Sequence, residues 1–379
     1  MCKVLIPEEQ KTNVLATLRS LGREMEFSLG HSSENRFRKS RYLDRVIPLP
    51  DPKEGTSDYV QAIVDIQDNY DVLLPFGHYA TAAVSLNVQS FDIPHPIAPY
   101  NVLRYGHDKG LTFEKCISME IDHPDTEFEF IMPSEYPVVI KARKNCGVAS
   151  GIRYARNRDE FRRGWMEITN QENIENLSEY HNPIIQEYIP GEIHDCVGLY
   201  QEGKCKAILT QRRVETCPIE GGPGAYDVTT RDTELMRLTM EFLDEIPWHG
   251  PFQLEWKLDP RDGRFKLIEF NPKMWGTLEL AIKAGMNIPK MAIDLALGKK
   301  LNTQRAYEVG SKHIWPFPQI WKNLLREPTL GRLAQLFYMP VDIRDPAPDL
   351  KQIGVSLANW SVADIGSKDS EVGGYCLAG

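Results

Sequence analysis

Residues 253–272, QLEWKLDPRDGRFKLIEFNP, constrain the fold more than any other stretch of the chain. Two apolar strands, marked by Leu254, Trp256 and Leu258 and by Ile268 and Phe270, flank Pro260-Arg-Asp-Gly-Arg264. That is a turn sequence in which Gly263 supplies a positive φ. A hairpin folded about Asp262 sets Glu255 opposite Glu269, and two-residue alternation places Glu269, Asn271 and Lys273 on one side. Two carboxylates and an amide oxygen gather on one face, with a cation beside them. Hard oxygen donors of this kind suit Mg²⁺, which takes one or two carboxylates and completes its octahedron with phosphate oxygens. Acids on a hydrated strand are the plainer explanation. Against it, the interleaved apolar residues mark both strands as packed.

A second stretch, Tyr136-Pro-Val-Val-Ile-Lys141-Ala-Arg-Lys-Asn-Cys-Gly147-Val-Ala-Ser150-Gly151, ends a buried strand on a lysine and continues into a loop of small residues. Such a loop folds over phosphates and offers them backbone N–H groups. It is not a P-loop, since GxxxxGK[ST] occurs nowhere. Further on, Arg212-Arg213 precedes Pro218-Ile-Glu-Gly-Gly-Pro-Gly224. The pair either steadies a transferred phosphoryl group or is the solvated face of a strand.

The first hundred residues have a βαβ rhythm. Val4–Ile6 reads as a buried strand. Thr12 to Leu21 reads as a helix carrying Val14, Leu15, Leu18 and Leu21, stopped by Gly22. Ser57 or Asp58 would cap a second helix with Tyr59, Val60, Ile63 and Ile66 on its apolar face, and residues 71–76 form another strand. This predicts a small α/β unit with a parallel sheet. Dinucleotide binding fails here, because the first strand runs into Pro7-Glu8-Glu9-Gln10-Lys11 with no GxGxxG. After Pro94-His-Pro-Ile-Ala-Pro99 the rhythm changes to α+β with antiparallel sheets, with strands expected at 136–142, 183–189, 206–210 and 252–256 and a helix at 234–246.

Composition narrows the partners. The 379 residues carry 44 Lys and Arg against 53 Asp and Glu, a net charge of −9, which argues against nucleic acid or a membrane as partner. The start lacks the pattern of a secretory signal, and no run of 18 apolar residues occurs. Seven scattered cysteines form no CxxC pair, so the expectation is a cytoplasmic, reduced protein. Cys146 and Cys217 read as packing residues. His31, His78, His107, His194 and His249 read as polar fillers or caps.

Taken in order, these motifs resemble the ATP-grasp superfamily. The chain shows Ile140-Lys141-Ala142, then Ile185-Gln186-Glu187-Tyr188-Ile189-Pro190-Gly191, then Glu255 and Glu269-Phe-Asn271-Pro-Lys273, over roughly residues 105–298. The run Asn271-Pro-Lys-Met-Trp-Gly276, with Leu278-Glu-Leu-Ala281 and Ala284-Gly285, is similar to the carbamoyl-phosphate-synthase-like branch and its carboxylate–amine ligases. The resemblance implies a pre-ATP-grasp α/β domain over 1–105 and an ATP-grasp domain over 106–300. Within the latter it implies a flap subdomain at about 115–190 and a metal hairpin at 252–273. Residues 301–379 would be a C-terminal extension of unassigned role.

The resemblance also implies roles. Lys109 and Lys141 would meet the ATP phosphates beneath the flap at Gly147. Gln186, Glu187, Tyr188 and Ile189 would form the adenine hinge, and Glu192 or Asp195 would take the ribose. Glu255, Glu269 and Asn271 would hold Mg²⁺, or Mn²⁺ in its place, and Lys273, Arg212 and Arg213 would act on the reacting groups. Lys273 stands where the branch carries arginine, so it keeps the charge and loses the bidentate fork. Trp275 and Glu279 are candidate substrate-facing residues.

The implied activity is an ATP- and Mg²⁺-dependent ligase that passes through an acyl phosphate and releases ADP and phosphate. Its partners would be a small-molecule carboxylate and an amine or other nucleophile, such as a thiol, and a homodimer is compatible with it. A bicarbonate- or carbamate-activating enzyme is the second reading. A nucleotide-binding sensor with little turnover is the third.

Overall fold

A computed structural model of the chain describes residues 1–8, 12–31, 39–144, 151–169, 182–217, 222–338 and 341–358. The N-terminal segment runs β1 (Cys2–Ile6), α1 (Thr12–Leu21), β2 (Met25–His31), β3 (Arg45–Pro48), α2 (Thr56–Val64), β4 (Val72–Leu73) and α3 (His78–Leu86). Its four strands lie in the order β3-β2-β1-β4, and every pairing is parallel. Strand β1 is buried on both faces, as parallel strands between helices are. Val4 and Ile6 pack with Val14 and Leu18 of α1, whereas Leu5 packs with Tyr59 and Ile63 of α2.

Helix α1 has the bounds its periodicity predicts, and the Gly22 N–H closes it onto Leu18 O at 2.7 Å. Helix α2 starts one turn early. Its N-cap is Gly55, with no side-chain cap, so Ser57 and Asp58 lie inside the first turn. Strand β4 is also shorter than the expected 71–76.

Helices α4 (Tyr100–His107) and α5 (Lys109–Ser118) lead into a four-stranded antiparallel sheet, ordered β5-β8-β6-β7. Its members are β5 (Thr126–Glu127), β6 (Val138–Lys141), β7 (Ile152–Ala155) and β8 (Ile184–Glu187), with α6 (Arg158–Thr169) packed on it. Strand β8 stops at Glu187, so Tyr188 and Ile189 lie just beyond it.

The largest sheet has six strands in the order β13-β12-β9-β10-β11-β14. They are β9 (Ile193–Gln201), β10 (Lys204–Thr216), β11 (Gly224–Thr230), β12 (Gly250–Leu258), β13 (Phe265–Asn271) and β14 (Lys312–Ile314), and all the pairings are antiparallel. Helix α7 (Thr233–Asp244) crosses between β11 and β12, while α8 (Leu278–Lys283) and α9 (Ile288–Ala296) follow β13. Strand β14 lies past residue 300, so the sheet continues into the segment that the motifs leave unassigned. Helices α10 (Trp321–Arg326), α11 (Leu330–Phe337) and α12 (Pro346–Ala358) complete the described chain.

One face of this sheet carries an apolar core. Cys196, Ile208, Leu254, Trp256 and Phe270 pack there with Leu235 and Phe242 of α7. The opposite face changes character along the strands. Val197, Leu199 and Leu209 pack against Trp275, Leu278 and Ile293, but one step along β9 and β10 the same face carries Asp195, Gln211 and Arg213. The polar patch therefore borders a dry core. Among the described residues no helix is long and apolar enough to cross a membrane.

Candidate active site

The hairpin register is the one that the turn predicts. Glu255 pairs directly with Glu269 and Gln253 with Asn271, and Gly263 holds φ +72° at the turn. Glu255 in turn pairs with Asp195 on β9, and Asp195 with Gln211 on β10. Directly opposed residues of antiparallel strands share a face, so four strands contribute to one polar row.

Two lysines approach the row from outside the sheet. Asp108 caps α5 by accepting from the N–H groups of Gly110 and Leu111, which fixes Lys109 as its first helical residue. Lys109 is 5% exposed, and its Nζ lies 3.2 Å from Glu269 Oε1. Lys141 ends β6 and donates to Ile268 O at 2.9 Å, bridging the two antiparallel sheets. Burial pulls its ammonium down to about 8. Burial by itself would raise the Glu269 carboxyl, but Lys109 and Lys141 outweigh it and hold the group below the usual range. Glu255 behaves oppositely. Burial, with Asp195 and Glu269 beside it, pushes it up to about 7 despite Arg213. Asn271 donates its amide N–H to Glu255 Oε1 at 3.2 Å, which leaves its carbonyl oxygen for another partner.

Arg213 is the other cation of the row. Its Nη2 lies 2.7 Å from Glu255 Oε2 and 2.9 Å from Asp195 Oδ1, and its Nη1 donates to Gly222 O at 3.1 Å. Asp195 is fully buried and also accepts from Gln211 Nε2 and Gln253 Nε2, each at 3.1 Å. Both of its oxygens are occupied in orienting the arginine. Arg212 points the other way, since neighbours on a strand face opposite sides. It makes a two-point contact with Glu192 at 3.0 Å, at the surface and away from the carboxylate row. The sequence presents these arginines as a pair, and the strand separates them.

At the expected hinge, Gln186 is buried and donates to Thr126 Oγ1 at 2.8 Å. Arg261 at the hairpin tip pairs with Glu187 at 2.6 Å, and Lys257 donates to Ile189 O at 2.7 Å while sitting over the Tyr188 ring. The N–H groups of Glu187 and Tyr188 donate to Asp125 O and Pro137 O. A cavity of about 300 Å³ opens beside this segment, lined among others by Tyr188, Glu192, Ile193, Arg213 and Lys257. Lys273 lies just beyond β13, where burial lowers its pKa against the pull of Glu269, Glu255 and Glu8. Gly147, Cys146 and residues 218–221 lie outside the described residues. Trp275 is fully buried in the core and Glu279 faces a cavity, so only the second of that pair meets open space.

Several polar residues of the site carry no motif. Besides Gln211 and Gln253, they include Glu8, which accepts from the N–H groups of Phe76 and Gly77. Asp227 is fully buried opposite Arg213 in register, with both oxygens unpartnered. Burial holds its carboxyl well above the ordinary range. A Cβ on Gly224 would stand 2.3 Å from those oxygens, so a larger residue there would push the carboxyl group aside.

Residues 179–313 match the family described as "ATP-grasp in the biosynthetic pathway with Ter operon", and the fold is the one seen in ATP-grasp proteins of known structure. The chain is also similar to the carbamoyl phosphate synthase large chain. It is 25% identical over 286 residues to that protein of Campylobacter jejuni, covering 67% of this chain and 25% of the relative. It is 23% identical over 226 residues to the N-terminal section from Methanopyrus kandleri, covering 53% and 39%. The chain thus spans well under half the length of these curated relatives.

Among solved structures, the L-amino acid ligase of Bacillus licheniformis superposes with a TM-score of 0.64 at 15% identity, over 80% of this chain and 76% of that one. The biotin carboxylase domain of Hydrogenobacter thermophilus 2-oxoglutarate carboxylase, solved with MgADP, ADP and bicarbonate, gives 0.63 at 16% identity over 80% and 71%.

Proposed function

We propose that this protein is an ATP- and Mg²⁺-dependent ligase that joins a small-molecule carboxylate to an amine through an acyl phosphate. The observation that carries the reading is the convergence of Lys109, Lys141, Glu255, Glu269, Asn271 and Arg213 on one face. Two carboxylates and an amide oxygen make an incomplete cage. Among the described residues no group of three His, Cys, Asp or Glu gathers around one point, so phosphate oxygens have to finish the coordination. The crowding that raises Glu255 is the kind a divalent cation relieves. Glu255, Glu269 and Asn271 would hold Mg²⁺, which would supply positive charge against the negative charge that builds up during phosphoryl transfer.

Lys109 and Lys141 bind the phosphates, and the segment 186–189 with Lys257 borders the base. Asp195 is a positioning residue for Arg213, which leaves Glu192 as the ribose candidate of that pair. Arg213 Nη1, with one N–H left beyond the bond to Gly222 O, faces the transferred phosphoryl group and stabilises its charge by a fixed hydrogen bond. Lys273 holds the substrate carboxylate. A carboxylate oxygen attacks the γ-phosphorus and ADP departs. The amine then attacks the carbonyl carbon, and phosphate leaves with the bonding pair and takes up the proton that the nitrogen gives up.

A phosphate-release screen of carboxylates crossed with amines tests this. Release that needs both reactants, and that disappears in Glu269→Ala while the circular dichroism spectrum is retained, is the expected result. Full activity in that variant would remove the metal assignment. Release with bicarbonate and no amine would favour the carboxylase-type reading, and release with thiols alone a thioester-forming one.

A further inference from the structure

The cavity of about 300 Å³ beside the hinge has one wall that no motif covers. Arg332 of α11, in the C-terminal segment, lines it together with Tyr188, Arg213 and Lys257, and Glu215 and Thr216 at the end of β10 line it too. A short network holds this wall. Asn323 of α10 is fully buried, and its Nδ2 donates to Glu215 Oε1 at 2.8 Å and to Thr216 O at 2.7 Å. Arg332 Nε donates to the same Glu215 oxygen at 2.7 Å, and Nη1 donates to Glu327 O at 2.6 Å and Glu327 Oε2 at 3.3 Å. Thr329 caps α11 on the N–H of Arg332 itself. The two side chains of the ion pair are only 12% and 13% exposed, so they are held in place before any ligand arrives.

An arginine and a carboxylate this close frequently form a two-point fork. Here one nitrogen meets one oxygen. Glu215 Oε2 keeps its acceptor capacity and Arg332 Nη2 keeps its N–H groups, with no hydrogen bond to a described residue. Neither atom is sealed inside the protein, so both stay within reach of a ligand in the cavity they line.

The position of the pair narrows the ligand. On the ligase reading, Tyr188 and Lys257 border the base and Arg213 faces the transferred phosphoryl group, and all three line this cavity. The sugar of a nucleotide joins its base to its phosphates, so it has to lie between them. A phosphate beside Glu215 would meet a like charge, whereas a hydroxyl would not. A hydroxyl both donates and accepts, so a vicinal diol can give one hydrogen bond to Oε2 and take one from Nη2. Glu192, the acid that resemblance offers for the ribose, already meets Arg212 with both of its oxygens.

We propose that Glu215 and Arg332 are the specificity pair for the nucleotide sugar, with Oε2 accepting from one hydroxyl of the ribose diol and Nη2 donating to the other. The C-terminal segment is then a working wall of the nucleotide site. The assignment deepens the ligase reading and rests on it for the places of the base and the phosphates.

Calorimetric titration of the full chain with ADP, 2′-deoxy-ADP and 3′-deoxy-ADP, each with Mg²⁺, tests the pair. ADP is expected to bind at least about fivefold tighter than either deoxy form, the loss expected of a hydrogen bond to a charged group. Arg332→Met should bring ADP to within about twofold of one deoxy form, the one lacking the hydroxyl that Nη2 reads. Arg332→Lys keeps a cation for Glu215 but has no second nitrogen, so it should do the same, and it serves if circular dichroism shows Arg332→Met unfolded. A smaller preference in the parent chain, or one that survives both arginine variants, would overturn the pair. So would a preference lost only in Glu192→Gln. ADP binding without any preference would sink the pair and leave the ligase reading standing. The expected preference, with no phosphate release from any carboxylate and amine, would sink the ligase reading and leave the pair.

Discussion

At the β12–β13 end of the six-stranded sheet, Glu269 has Lys109 at 3.2 Å and Glu255 has Arg213 at 2.7 Å. At the β11–β14 end, Asp227 and His313 are buried at least as deeply, yet their polar atoms lack hydrogen-bond partners. The first end resembles a charge-balanced socket, suited to a ligand that brings anions and a cation together. The second is left unsatisfied, and burial shifts the Asp227 carboxyl up and the His313 imidazole down, each toward its neutral form. Binding at one end should therefore depend on charge pairs, and at the other on hydrogen-bond donors.

The largest effect separating the two ends is expected from Arg213→Met. It strips the only described ion-pair partner from fully buried Asp195 and takes one from Glu255, so it should lower unfolding stability by about 3–5 kcal/mol in urea titrations. A change under about 1 kcal/mol would show that water already reaches this end. Next comes pH. Lys141 titrates near 8, so MgADP affinity should be flat below that value and fall by up to about tenfold per unit above it, read by calorimetry. The nucleotide-free protein should show the opposite sign. Its folded state binds fewer protons than the unfolded chain between about 8 and 10.5, so the Lys141 contribution to stability grows as pH rises through that window. The smallest effect belongs to Asp227→Asn, which puts a neutral amide in place of a carboxyl that burial shifts toward its neutral form. Stability should move by less than about 1 kcal/mol, and a larger loss would mean the acid is ionised and paired.

How far the sequence could be read follows the same division. The hairpin end was legible because its register is local: Gly263 fixes the turn, and the turn fixes Glu255 against Glu269. Lys109 and Lys141 were reached through resemblance, and the structure brings both to that row. Arg212 and Arg213 show a rule left unapplied, since alternation alone divides them. Glu192 or Asp195 is the ribose ligand that the resemblance implies, and the three donors to Asp195 become visible only when β9 is seated between β10 and β12. His313 and Asp227 carried no readable signal. Their pairing joins strands separated by residues 231–311, and no local pattern encodes contacts over that span. Capping failed on a smaller scale, because the chain enters α2 at Gly55 with no polar side chain at the cap.

The late return of β14 also bears on synthesis and on fragments. During translation β11 is made long before residues 312–314 that cover it, and until they arrive its outer N–H and C=O groups form an open edge. Non-local pairings of this kind slow folding, and bare edges recruit strands from other chains. A fragment ended at residue 300 would keep Glu255, Glu269, Asn271 and both phosphate lysines. It would also carry a permanently unprotected strand, and light scattering at matched concentration should find it self-associating where the full chain is not.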